Sequence, residues 1–160
     1  MILVADCSAL IALSACKSLC LLDALFGTVI VPETVLHEAT NSDKPEAEAL
    51  RIYLEGKVRQ VDMGGYVYLD GFADAGETEA MLLFKQVHAD KLLIDDKRGR
   101  KVAKINNIST IGPLGILLAA KQAGLIKWVN QRSSTFGRSN IKRSYLSKSR
   151  VDKNRTGYCR

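Results

Sequence analysis

The 160-residue sequence lacks the motifs that identify several common classes of enzyme. It contains no GxGxxG or GxxxxGK[ST] loop, so nucleotide binding by a glycine-rich loop is not expected. It contains no GxSxG turn, which argues against a serine hydrolase of the α/β type. Its four cysteines form no CxxC pair and no zinc-ligand spacing, and Cys7 is expected to pack in the core. Its two histidines, His37 and His88, are not placed as evident general bases, and His37 is expected to be a partly exposed helix residue.

Long apolar runs are also absent. No stretch of 18 uncharged apolar residues exists, so a transmembrane helix is not expected. Met1 leads directly into the apolar residues 2–5 and then Asp6, whereas a secretory signal would begin with a basic region. We therefore expect a cytoplasmic protein that has no membrane partner.

The formal net charge of +6 is distributed unevenly along the chain. Residues 1–130 carry 14 Lys and Arg against 16 Asp and Glu, a net charge of −2. Residues 131–160 carry nine Lys and Arg against one Asp, a net charge of +8. We expect one folded domain over 1–130 and a basic C-terminal tail over 131–160. For this tail, polyanion binding and a solvated, partly disordered end are alternative interpretations.

Short apolar runs that predict strands alternate with helical patterns along the first 130 residues. The predicted strands are residues 2–5, 28–31, 58–61, 92–94 and 108–111. The predicted helices are residues 9–13, 18–26 with Ser18 as cap, a helix that starts at Pro32, 46–54, 77–87, 98–105 and 113–123. Residues 64–75 are expected to form a loop or a short helix. This alternation predicts a mainly parallel sheet with helices on both faces.

Carboxylates follow the predicted strands at the edge of the sheet where ligands usually bind. Asp6 ends the first strand, and Asp95 and Asp96 follow the fourth. Glu38 lies in the helix after the second strand, and Glu77 begins a helix. Oxygen ligands favour Mg²⁺ or Mn²⁺ over zinc. If these five side chains converge, they predict metal-assisted attack of water on a phosphate ester.

Each carboxylate also has a purely structural interpretation. Asp6 is placed to cap the helix that follows it, and Glu77 is placed to complement the dipole of its helix. One of Asp95 and Asp96 is expected to be a ligand and the other a cap, while Glu38 could pair with a surface cation. The joint placement of these residues is therefore a stronger signal than any one of them.

Several segments resemble the PIN-domain superfamily. Residues 4–11 look like the start of that family, an apolar strand followed by Asp-x-Ser/Thr-x-Leu-Ile, and residues 31–38 resemble its second motif, Val-Pro and then Val-x-x-Glu. Residues 76–80 and 93–103 resemble an uncharacterised branch that carries Gly-Glu-x-Glu-Ala and Leu-x-Asp-Asp-x-x-x-Arg-x-x-Ala, and residues 111–126 look like the same branch. The resemblance covers about residues 1–127, whereas the tail matches poorly.

The resemblance implies a three-layer α/β/α sandwich around a central, mainly parallel sheet of four or five strands. It implies a Mg²⁺- or Mn²⁺-dependent ribonuclease of the kind used as the toxin of a toxin–antitoxin pair. The partners that it implies are RNA, a small antitoxin protein and a second copy of the chain in a homodimer. The alternatives are a PIN-fold module that binds RNA or an antitoxin without useful turnover and, less favoured, a flavodoxin-like receiver domain.

The resemblance also assigns roles to particular residues. It implies that the catalytic and metal-binding residues are Asp6, Glu38, Glu77 and Asp96, with Asp95 as a fifth metal ligand. Ser8 matches a hydroxyl residue that supports the first aspartate. The expected RNA contacts are Arg98, Arg100 and Lys101. Many related toxins carry Asp where this chain has Glu77, which changes the reach of that ligand by one methylene.

Overall fold

A computed structural model describes residues 1–41, 45–65 and 74–126 of the chain. Strands and helices alternate along these ranges, as the sequence pattern predicts. In chain order the elements are β1 (Ile2–Ala5), α1 (Cys7–Ala15), α2 (Cys20–Phe26), β2 (Thr28–Pro32), α3 (Glu33–Thr40), α4 (Pro45–Tyr53), β3 (Val58–Arg59), α5 (Ala75–Gln86), β4 (Lys91–Leu93), α6 (Lys97–Ile105), β5 (Thr110–Ile111) and α7 (Pro113–Gln122).

The five described strands form one parallel sheet in the order β3-β2-β1-β4-β5. The strand β1 is central, and its Ala5 is paired with Leu93 of β4. The backbone N–H of Asp6 continues this ladder by donating to the carbonyl of Leu93 at 2.9 Å. The chain therefore leaves β1 and β4 side by side at the carboxyl edge of the sheet.

Helices cover both faces of the sheet, which confirms the predicted three-layer α/β/α architecture. Successive side chains of a strand point to opposite faces. Leu3 and Ala5 accordingly join a core cluster with α1, α2, α3, α4 and α7. Val4 joins a second cluster with α5 and α6 on the other face. The continuous apolar run of β1 is thus explained by burial on both sides.

The structure departs from the predicted boundaries at a few positions. The two outermost strands, β3 and β5, contain two residues each because each pairs with a single neighbour over a short ladder. Ser18 does not cap α2, so the prediction from the sequence is wrong at this position. Its hydroxyl donates instead to the carbonyl of Cys16 at 3.0 Å, and α2 begins after Leu19 without a side-chain cap.

Two predictions fall on residues outside the described ranges. They are the loop or short helix at 64–75, of which residues 66–73 are not described, and the boundary at 130 with its basic tail. Among the described residues no single helix is long and apolar enough to cross a membrane, and α1 with α2 would pass that test only as a pair bent by 116°.

Candidate functional site

A cleft of about 430 Å³ opens at the carboxyl edge of the sheet. We call it the acidic cleft, because five of its described lining residues are carboxylates. The described lining residues are Asp6, Cys7, Ser8, Ile11, Glu38, Asp74, Glu77, Asp96 and Arg98. They come from the start of α1, from α3, and from the first turns of α5 and α6. Side chains distant in sequence are thus brought to one place.

Three aspartates of the acidic cleft are helix N-caps. Asp6 caps α1 by accepting from the Ser8 amide at 3.3 Å and from the Ser8 hydroxyl at 2.7 Å. Asp74 caps α5 through the Glu77 amide, and Asp96 caps α6 through the Gly99 amide, both at 2.7 Å. The positive end of each helix dipole stabilises such a carboxylate. Capping and a place in the cleft are therefore compatible, because the cap fixes where each carboxylate lies.

The two glutamates differ in exposure. Glu77 is only 7 % exposed, close to the 4 % of Asp6, whereas Glu38 is exposed to solvent. Each glutamate carboxylate lies against a glycine. A Cβ on Gly76 would lie 2.9 Å from Oε2 of Glu38, and a Cβ on Gly99 would lie 2.5 Å from Oε1 of Glu77. Glycine therefore permits both close approaches.

Burial and crowding of negative charge raise the affinity of Glu77 for a proton. Burial is the largest cause, and the charges of Asp74, Asp6 and Asp96 add to it, so that the pKa of Glu77 is raised to about 7. Near neutral pH this carboxyl is therefore partly protonated in the metal-free protein.

Two other carboxyls of the cleft are shifted in the same direction. Burial raises the pKa of Asp6, although the hydrogen bond from the Ser8 hydroxyl opposes the shift. The pKa of Glu38, which is exposed but partly desolvated, is raised by this desolvation and further by the charges of Asp74 and Asp6. The hydroxyl of Ser8 thus supports the ionised form of Asp6, which is the role that the sequence resemblance implies for it.

Asp96 behaves in the opposite way. The hydrogen bond from the Gly99 amide is the main cause that lowers the pKa of Asp96, and the positive charge of Arg98 contributes. Asp96 is exposed and stays ionised at neutral pH, so it is a permanent negative charge at the rim of the cleft. The neighbouring Asp95 is also exposed but is not among the lining residues.

The predicted RNA contacts are spread over the surface of α6. Arg98 lines the acidic cleft. Arg100 lies over the start of α7, where a Cβ on Gly112 would be 3.1 Å from its Nη1 atom. Lys101 is exposed on α6. Of these three cations, the structure brings Arg98 to the described lining of the cleft.

Cys7 lines the acidic cleft, whereas the sequence favoured a place in the core. It is the first residue of α1 rather than the last of β1, so its half-buried side chain reaches both the cleft and the core cluster. Burial, followed by the charges of Asp6 and Glu38, raises the pKa of the thiol to about 12. The thiol is therefore neutral at physiological pH and is a poor nucleophile.

His37 lies outside the acidic cleft, on a neighbouring cleft of about 420 Å³. Its side chain is 74 % exposed, and its Nε2 atom lies 3.6 Å from the Glu33 carboxylate one helical turn away. This agrees with the expectation of an exposed helix residue. Glu79 lines the same neighbouring cleft.

Sequence reasoning missed Asp74. This residue follows a segment without hydrophobic periodicity and is not at the end of a strand. The available signal was the spacing Asp-x-x-Glu between Asp74 and Glu77, which is typical of a capped helix start. The contribution of Gly76 and Gly99 was also missed.

The donor set of the acidic cleft fits a hard divalent cation. Its carboxylate oxygens are ligands that Mg²⁺ and Mn²⁺ prefer. Burial, followed by the neighbouring negative charges, raises the pKa of three of its carboxyls, so a bound cation would favour their ionised forms. Within the described ranges, no three carboxylate, imidazole or thiol groups stand close enough together to hold one ion as they are.

The fold and the cleft together define an α/β protein with an anionic site at the carboxyl edge of a parallel sheet. The family model DUF3368, a PIN domain, matches residues 2–153, and the chain therefore belongs to the PIN-domain family. PIN domains are generally nucleases and typically use divalent metals, so the fold is of the nuclease type. A search of curated protein sequences finds no match.

Proposed function

We propose that the protein is a Mg²⁺- or Mn²⁺-dependent endoribonuclease that hydrolyses RNA phosphodiester bonds. The observation that carries this proposal is the acidic cleft, in which five carboxylates from separate parts of the chain face one space. Membership of the PIN-domain family supports a nuclease over other uses of such a cleft.

The residues proposed to hold the cation are Asp6, Glu38, Glu77 and Asp96, and Asp74 adds negative charge beside them. When bound, a divalent ion supplies charge for the leaving oxygen and makes water a better nucleophile. Asp6 and Glu77 are the buried carboxylates of the described lining of the cleft. Of the residues proposed to hold the cation, Glu38 and Asp96 are exposed and accessible to water and substrate, so one of them orients the attacking water.

The two adjacent aspartates after β4 offer a matched test of metal binding. Asp96→Asn is expected to weaken Mn²⁺ binding about 10–100-fold, because a charged oxygen of the cleft is lost while asparagine can still cap α6. Asp95→Asn removes the same charge one residue away, outside the described lining, and is expected to bind Mn²⁺ as the wild type does. Calorimetric titration measures both. Equal affinities of wild type and Asp96→Asn would contradict the assignment.

Arg98 is the proposed cation for an RNA phosphate at the cleft, because it is the basic residue of its described lining. Arg98→Ala is expected to weaken binding of single-stranded RNA in EDTA and to reduce the salt slope by about one. Lys121→Ala removes an exposed cation from the last turn of α7, towards the other edge of the sheet, and serves as control. Fluorescence anisotropy over a range of salt concentrations measures the slope. The same slope for Arg98→Ala and wild type would exclude Arg98 as a phosphate contact.

A toxin role, an antitoxin partner, a homodimer and a cytoplasmic location belong to the same proposal. The resemblance of residues 76–80 and 93–103 to a toxin-related branch of the PIN-domain superfamily supports the toxin role, the antitoxin partner and the homodimer. Expression of the protein in growing cells tests the toxin role: wild type should slow growth, and Asp6→Asn should not.

A further inference from the structure

Two glycines of the acidic cleft occupy positions where a side chain would collide with a carboxylate. Gly76 is the second residue of α5, and a Cβ there would lie 2.9 and 3.1 Å from the two carboxylate oxygens of Glu38. Gly99 is the third residue of α6, and a Cβ there would lie 2.5 Å from both Oε1 of Glu77 and Cδ1 of Ile94. These separations are below or at the edge of ordinary contact distances, so each carboxylate sits where only glycine leaves room.

Backbone conformation does not explain these two glycines. Gly27, Gly56 and Gly124 have positive φ angles, which favour glycine. Gly76 and Gly99 are not among the residues with positive φ and lie within the first turns of helices, where alanine would favour the helix. At position 76 the close approach of Glu38 is the physical reason that remains for glycine, whereas at position 99 the Ile94 side chain lies as close as the Glu77 carboxylate.

We propose that Gly76 and Gly99 are positioning residues for the metal-binding carboxylates of the cleft. Gly76 lets Glu38 of α3 rest on the first turn of α5, and Gly99 lets Glu77 of α5 rest on the first turn of α6. Glu38 is thereby held against the N-terminal end of α5, and Glu77 against that of α6. This inference rests on the proposed function, because it assigns the purpose of the contact to metal binding.

Gly76→Ala is the clean test, because the three heavy atoms nearest to the added methyl group all belong to the Glu38 carboxylate. Glu38 is exposed and can rotate away, so the fold should tolerate the change, and alanine favours helix α5. We expect metal-free Gly76→Ala to unfold at the same temperature as wild type or higher. We expect its Mn²⁺ affinity to fall about 10–100-fold, which is the usual loss when a group that orients a metal-binding side chain is removed.

Gly115→Ala is the matched control. Gly115 is the third residue of α7, and a Cβ there would lie 2.7 Å from Cγ1 of Ile111, an apolar atom instead of a carboxylate. This variant is expected to unfold at a lower temperature than wild type but to bind Mn²⁺ with unchanged affinity. Together the two variants separate a role in metal binding from a role in packing.

For Gly99 the contact with Ile94 must be removed first. Ile94→Val deletes the Cδ1 atom, so Gly99→Ala in an Ile94→Val background leaves the Glu77 carboxylate as the main obstacle. We expect this double variant to bind Mn²⁺ more weakly than Ile94→Val alone.

Rescue by a shorter side chain tests the steric argument directly. Glu38→Asp withdraws the carboxylate by one methylene, so combining it with Gly76→Ala should cost less Mn²⁺ affinity than the two single losses together. Mn²⁺ titration calorimetry and thermal unfolding give both readouts. If wild type and Gly76→Ala bind Mn²⁺ with the same affinity, the positioning role of Gly76 is overturned but the proposed function is not. Wild type that binds no Mn²⁺ would overturn the proposed function and this inference with it.

Discussion

Replacing Asp6 with asparagine, or Glu77 with glutamine, is expected to reduce Mg²⁺- or Mn²⁺-dependent RNA cleavage about 100-fold or more. Asp6 and Glu77 are the two buried carboxylates of the described lining of the acidic cleft. Because water has little access to them, it cannot compensate for the negative charge that either substitution removes. A divalent ion contributes several kcal/mol of transition-state stabilisation, and each 1.4 kcal/mol that is lost lowers the rate about tenfold. Initial rates on labelled single-stranded RNA measure the loss, with Glu55→Gln, an exposed carboxylate outside the described lining, as the control that keeps full activity.

The ends of the cleaved RNA test the mechanism independently of the rate. Attack by water should leave a 5′-phosphate and a 3′-hydroxyl, whereas attack by the ribose 2′-hydroxyl would leave a 2′,3′-cyclic phosphate. End-labelled products run on a sequencing gel, with and without phosphatase treatment, distinguish these ends. EDTA should stop the reaction. Cyclic-phosphate ends, or undiminished cleavage by Asp6→Asn, would contradict hydrolysis assisted by a metal ion.

The alternative of a binding module gives a different pattern. A module without turnover would bind RNA in a manner that depends on Arg98 but would leave the RNA intact in the presence of either metal ion. Cleavage that requires Asp6 excludes it.

The fold was predictable where local pattern and burial agree. The apolar run of β1 is buried on both faces, which is why it is recognisable as a strand. Helix α7 begins at Pro113 and is followed by Gly124, which has a positive φ, so both of its ends could be predicted from the sequence. The lengths of β3 and β5 depend on how far a neighbouring strand extends, which is a property of the assembled sheet. The bounds of the two outermost strands were therefore predicted with less accuracy.

The candidate site was predictable where a carboxylate directly follows a strand. Asp6 and Asp96 belong to that group, because parallel strands end at a common edge. Sequence could not separate Asp96 from Asp95, since the choice depends on which carboxylate accepts the Gly99 amide. Asp74 reaches the cleft through α5 rather than through a strand, so only a capping pattern marked it. The space beside Gly76 exists only once α3 and α5 are packed together.

The metal-free protein is expected to lose stability as the pH rises from about 4.5 to about 7. The main cause is Glu77, whose pKa is raised to about 7 in the folded protein from an ordinary value of 4.5. The raised pKa values of Asp6 and Glu38 act in the same direction. The negative charges that face Glu77 are Asp74 on its own helix, Asp6 at the start of α1 and Asp96 on α6, and Arg98 is the cation of the described lining. Between these two pH values the folded state binds more protons than the unfolded state, so the free energy of unfolding falls as the pH increases.

Glu77→Gln removes the contribution of Glu77 to this pH dependence while keeping the size of the side chain. At pH 8 and without metal, the variant should exceed wild type in unfolding free energy by on the order of 3 kcal/mol, since each pKa unit corresponds to about 1.4 kcal/mol. At pH 4 the advantage should disappear, because Glu77 is then protonated in both the folded and the unfolded states. Urea unfolding followed by circular dichroism, repeated at several pH values, measures the difference.

Glu55→Gln is the control for this experiment, because Glu55 is exposed and lies outside the described lining of the acidic cleft. Its pH profile should run parallel to that of wild type. Saturating Mn²⁺ adds a second arm, since a ligand that binds only the folded state stabilises it by mass action. Mn²⁺ should restore the stability of wild type at pH 8 and do much less for Glu77→Gln. A pH profile of Glu77→Gln that is parallel to that of wild type would show that crowded charge in the cleft does not destabilise the metal-free fold.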